Sequence, residues 1–90
     1  MDVFRFVKLP QRANDRTRRY RLVRGLEGDD IGSIEVAGDA LEGSTVLLTV
    51  ACHWILSDAV REDALATTRR FLTELARGWG LQAEVAVENG

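Results

Sequence analysis

From Thr45 to Trp54 the chain alternates: Val46, Leu48, Val50, Cys52 and Trp54 fall on one side with no polar group among them, and Thr45, Leu47, Thr49, Ala51 and His53 fall on the other. Successive side chains of a strand point to opposite faces, so this run predicts a strand with one buried face and one half-buried face, as in an antiparallel sheet. A wholly apolar face needs a cover. The next segment supplies one. Val60, Ala64, Thr68, Phe71 and Leu75, flanked by Leu65 and Leu72, recur at spacings of three, four and seven, which is the apolar stripe of an amphipathic helix of about 20 residues. Leu48, Val50, Phe71 and Leu75 are the expected shared core.

The helix has start and stop signals. Ser57 or Asp58 is placed to cap it, with Asp58, Glu62 and Asp63 near its positive end. Arg69, Arg70 and Arg77 lie toward the other end, and Gly78 and Gly80 stop it with Trp79 between them as a hydrophobic anchor.

Upstream, Val3 to Leu9 is a β-rich run with poor alternation, ended by Pro10, which cannot donate to a ladder. Residues 10–16 carry turn chemistry, and Thr17 to Leu26 reads as a second strand with Tyr20 and Leu22 on one face and Arg19, Arg21 and Val23 on the other. Gly25 to Asp30 reads as an acidic turn, Ile31 to Ala37 as a short strand with Ile34 and Val36 together, and Gly38 to Gly43 as a further turn. Gln82 to Glu88 is a last strand, Ala83, Val85 and Val87 inward and Glu84 and Glu88 outward. The expectation is a two-layer α+β domain over residues 1–90, in the order ββββαβ. One mixed, mostly antiparallel sheet of four to five strands carries one long helix on one face. A helix between the last two strands predicts a parallel, right-handed crossover if both share the sheet. Strand order does not follow from the pattern.

Ninety residues suffice for one core, and 46% apolar residues suffice to fill it. The single cysteine, Cys52, excludes an internal disulfide and suits a reducing compartment. The N-terminus mixes Asp2, Arg5 and Lys8 into its apolar residues and does not read as a signal peptide. A cytoplasmic location is expected. Eleven arginines to one lysine, with abundant Ala, Gly and Val, suggest a GC-rich bacterial coding bias.

A net charge of −2 conceals a division: residues 1–24 hold eight cationic and two acidic side chains, +6, and residues 25–90 hold four and twelve, −8. Arg12, Arg16, Arg18, Arg19, Arg21 and Arg24, with Tyr20 among them, form a candidate partner-binding basic patch; arginine beside an aromatic is one way to hold phosphates and stack bases. They fall on both faces of their strand, however, and Glu27, Asp29, Asp30, Glu35, Asp39 and Glu42 follow at once to neutralise them. An acidic pI near 5.3 also counts against a dedicated nucleic-acid protein.

No catalytic, metal or cofactor motif stands out. Cys52 and His53 are adjacent on a strand and point to opposite faces, so they share neither a metal nor a proton. His53 is the only histidine, and Ser57 and Asp58 are explained by helix capping. The glycines at 25, 28, 32, 38 and 43 are dispersed among acids that would repel a phosphate. The functional expectation is a non-enzymatic protein-interaction or regulatory module without a cofactor. Its partner is another protein or a second copy, met through the uncovered sheet face at Leu47, Ala51 and His53. The alternative expectation is a weak nucleic-acid-binding domain using residues 12–24.

Overall fold

The alternating runs all join one sheet. In the computed structural model, which describes residues 3–11 and 17–88, β1 (Phe4–Lys8), β2 (Arg18–Arg24), β3 (Asp29–Ala40) and β4 (Thr45–His53) form an antiparallel meander. The helix α1 (Asp58–Gly78) then returns the chain so that β5 (Gln82–Glu88) lies parallel to β4. The sheet order is β1-β2-β3-β4-β5. This is the two-layer α+β arrangement expected, with all five strands in one mixed sheet.

Register places Phe6, Leu22, Ile34, Val36, Val50, Cys52 and Val85 on one face with α1 above them. The poor alternation of β1 left its buried side open. The structure resolves it by stacking Phe6 on Phe71 of the helix at 4.3 Å between ring centroids, with Tyr20 edge-on to Phe71 at 5.1 Å.

The helix meets the sheet through a line rotated from the one expected. Ala64, Thr68, Leu72 and Ala76 are its buried residues, and Phe71 and Leu75 are only half-buried. Three of those four side chains are small, while the larger Leu65, Phe71 and Leu75 are partly buried and pack against the same core. The buried Thr68 hydroxyl donates to the Ala64 carbonyl at 2.7 Å, and no buried side-chain polar atom among the described residues lacks a partner. An unmet buried hydroxyl would cost on the order of 1–3 kcal/mol.

Both helix ends refine the expectation. Ser57 holds the N-cap position with extended backbone (φ −63°, ψ 156°), but its side chain makes no capping hydrogen bond; its carbonyl accepts from Arg61 N at 2.8 Å. At the other end Gly80 adopts φ +75°, and Leu81 N donates to Ala76 O while Gly80 N donates to Arg77 O. That pair of bonds is a Schellman motif, in which the left-handed position favours glycine.

β3 is 12 residues long, where a short strand bounded by turns was expected. Gly38, Asp39 and Ala40 read as turn residues, yet each pairs with β4, opposite Leu48, Leu47 and Val46. Asp29 and Asp30 likewise pair with Arg24 and Val23. Tertiary pairing overrides the low strand preference of Gly and Asp. The β2–β3 turn shrinks to residues 25–28, with Gly25 and Gly28 at φ +78° and +76°.

A bulge interrupts β2–β3 pairing between Leu22 and Val23. The extra residue, Ile31, is on β3, while Leu22 and Val23 keep regular pairing with Phe6 and Arg5 of β1; they point to opposite faces, and β2 is buried on both sides here. The Asp30 carboxylate ties the irregular segment together, accepting from Gly32 N at 3.2 Å and pairing with Arg21 Nε at 3.2 Å. Among the described residues no helix is long and apolar enough to cross a membrane.

Candidate functional site

The sheet has a second face, and α1 leaves it uncovered. Parity places Arg19, Arg21, Ser33, Glu35, Ala37, Leu47, Thr49, Ala51, His53, Glu84 and Glu88 there. Its centre is small and weakly apolar: Ala37, Leu47, Thr49 and Ala51 are half-buried by their neighbours alone. Its flanks are charged. The register sets Arg19 on β2 opposite Glu35 on β3, Glu35 opposite Ala51 on β4, and Ala51 opposite Glu88 on β5. One cross-strand row therefore runs from a cation through an apolar position to a carboxylate.

Local pairing uses some of these charges. Arg21 is held by Asp30, and His53 Nε2 lies 3.8 Å from Glu35 Oε1. Both pairs are half-exposed, a setting in which such contacts contribute little stability. Arg19 donates instead to the Pro10 carbonyl at 3.3 Å. Among the described residues, neither Arg19 nor Glu88 pairs with an opposite charge.

The candidate basic patch is not one surface. Arg12 and Arg16 lie outside the described residues. Arg18 shares the parity of Tyr20 and Leu22 and so sits on the helix side, its guanidinium carbon 4.4 Å from the centre of the Trp79 ring. Trp79, expected as a hydrophobic anchor, is 45% exposed and serves as the platform for this cation. Arg19 and Arg21 face the other way. Arg24 lies at the far end of β2, opposite Phe4 and Asp29. The candidate interface residues Leu47, Ala51 and His53, in contrast, do share the open face, with His53 at its exposed end.

Cys52 and His53 diverge as adjacent strand residues must. Cys52 is 4% exposed beneath the helix, and burial pushes its thiol pKa up. Thiolate is the reacting form, so both access and ionisation slow it. Labelling by an aromatic disulfide reagent at pH 8 is expected to run at least about a hundredfold slower in the native protein than in denaturant, limited by local opening. Native labelling at the unfolded rate would put Cys52 on the open face. No group of three or more His, Cys, Asp or Glu side chains among the described residues is arranged to hold a metal ion.

No family model, curated protein or solved structure matches the chain.

Proposed function

We propose that this protein is a non-enzymatic interaction module that associates with a second copy of itself through the open sheet face. The observation that carries this reading is the row Arg19–Glu35–Ala51–Glu88, whose terminal charges have no opposite-charge partner among the described residues. A two-fold axis running along the strands between β3 and β4 turns this row onto itself in reverse. Arg19 then lies over Glu88 of the partner subunit, Glu88 lies over the partner's Arg19, and the small centre around Ala51 permits close approach. An axis across the strands would instead set arginine against arginine. Charge placement thus selects one of the two face-to-face dimers, and the self-complementary patch is what a two-fold interface requires. Aligned packing of two twisted sheets at about −30° is the ordinary geometry for it.

Size sets the strength. Turned about that axis, β2 to β5 overlap and β1 lies outside; four strands about 4.8 Å apart and some seven residues long at about 3.3 Å each give roughly 450 Å² per copy. A total of about 900 Å² lies below the usual size of stable interfaces, in the range of weak, reversible association. A nucleic-acid role gains less from the fold, since Arg18 and Arg19 are on opposite faces and give no continuous basic platform.

Sedimentation equilibrium at physiological salt tests the proposal. Wild-type protein is expected to dimerise as its concentration rises into the hundreds of micromolar. Arg19→Glu and Glu88→Arg, each alone, should weaken the dimer at least tenfold, about 1.4 kcal/mol. Combining them restores the pairing with signs exchanged, so the double variant should recover most of the loss. A monomeric wild type over that range, or no recovery in the double variant, would sink the proposal.

A further inference from the structure

On the opposite side of the sheet, beneath the C-terminal turn of α1, lies a cavity of about 220 Å³. It exists for two local reasons. Gly38 brings no side chain to the stretch of β3 that faces it, and the Schellman turn ends the helix before it covers the sheet's end. Val36, Val46, Leu48 and Leu75 form apolar walls. Arg18 contributes the only charge among the described lining residues, and Trp79 lies beside it.

Arg18 is half-buried, and among the described residues no carboxylate pairs with it. The Trp79 ring attracts the guanidinium through the ring's own charge distribution and accepts none of its in-plane N–H bonds, which remain suited to a carboxylate. The end of α1 opposes an anion with about half a negative charge, less than the full positive charge of Arg18. Of its last carbonyls, Ala76 O already accepts from the Trp79 and Leu81 amides and Arg77 O from the Gly80 amide. The site is therefore cationic at one point, lined also by Tyr20, and apolar along Val36, Val46, Leu48 and Leu75.

We propose that this cavity binds a small amphipathic monoanion: a carboxylate carried on a short aliphatic chain or a single ring. The carboxylate meets Arg18, and the apolar body lies against Val36, Val46, Leu48 and Leu75. At about 30 Å³ per water-sized group the volume holds roughly seven non-hydrogen atoms, fewer than a drug-sized ligand, so the tail of a longer chain would extend from the cavity's open side. One arginine balances one negative charge, so a monocarboxylate fits better than a phosphate dianion. The site lies away from the open sheet face, and its test does not depend on self-association.

The experiment is a titration of the full ¹⁵N-labelled chain with octanoate, followed at the indole N–H resonance of Trp79. A saturable shift at low-millimolar octanoate is expected, with Trp54 as an internal control that moves less. Octanol and octylamine should bind at least tenfold more weakly than octanoate. Arg18→Gln should cost octanoate at least tenfold. Gly38→Leu should abolish the shift by filling the space, since a Cβ at Gly38 would lie in ordinary contact, 3.4 Å from Leu48 Cδ2 and 3.7 Å from Val46 Cγ2. Arg18 has no ion pair to lose among the described residues, so its variant tests the site even if the Gly38 variant is unstable. The proposal is overturned by a non-saturating response, by octanol binding as tightly as octanoate, or by full affinity in Arg18→Gln.

Discussion

Truncating Leu72 to Ala is expected to destabilise the protein by about 2–5 kcal/mol, measured as a fall in the urea midpoint at constant slope. Leu72 is 0% exposed and packs in the cluster that includes Tyr20, Ile34, Val36, Leu48 and Val50. Its neighbours are held by strand pairing on one side and by the helix on the other, so the void closes little and the loss sits in the upper part of the range. A domain of 90 residues has only about 5–13 kcal/mol in total, so this change removes a large share. Phe71→Ala should cost less, roughly 2–3 kcal/mol, despite the larger side chain. Phe71 is half-buried and contributes through its rings' contacts with Phe6 and Tyr20. A larger loss at Phe71 than at Leu72 would show that the helix sits on the sheet as its raw periodicity suggested.

That inversion marks where the sequence was legible and where it was not. The strict alternation of β4 and the three-to-four spacing of α1 identify both elements and the faces they share, because each follows from backbone geometry alone. Choosing the deepest residue within the helical stripe needs the approach of helix to sheet. That approach is set by Ala64, Thr68 and Ala76, whose smallness carries no directional signal in a periodic pattern. Strand order was hidden for a related reason: parity says which way a side chain points, never which strand lies alongside. The length of β3 was masked by Gly38, Asp39 and Asp30, which read as turn residues until β2 and β4 pair with them.

The candidate sites divide along the same line. Leu47, Ala51 and His53 share the open face because they share parity, and this was readable. The placement of Arg18 was readable too: even spacing from Tyr20 and Leu22 puts it on the core side. Counting arginines as one patch hid that signal. What sequence could not show was its neighbour, because Arg18 and Trp79 are 61 positions apart and meet only when α1 folds back across the sheet. The row joining Arg19 to Glu88 depends likewise on three successive registers, any of which a one-residue slip would undo.

Gly32→Ala should be among the most damaging single changes, at about 2–5 kcal/mol. Gly32 has φ +151°, which side-chain-bearing residues rarely adopt. A Cβ there would come 2.6 Å from Trp54 Cβ and 2.9 Å from the His53 carbonyl oxygen. Neither obstacle is the movable end of a flexible side chain, so the end of β4 itself must shift. The partly buried Trp54 that packs against the core is carried with it. Gly25→Ala is the control: Gly25 also has a positive φ, +78°, but a Cβ there meets nothing within 4 Å. Its cost is the backbone conformation alone, about 1–2 kcal/mol. The excess at Gly32 over Gly25 reports mainly the close approach of the end of β4, Trp54 Cβ and the His53 carbonyl together. Trp54→Ala cannot relieve it, since Cβ remains; in a Trp54→Gly background the Gly32→Ala penalty should fall but stay above that of Gly25→Ala, because the His53 carbonyl oxygen remains 2.9 Å away. Equal losses at the two glycines in the wild-type background would mean that Trp54 does not rest on Gly32 in solution.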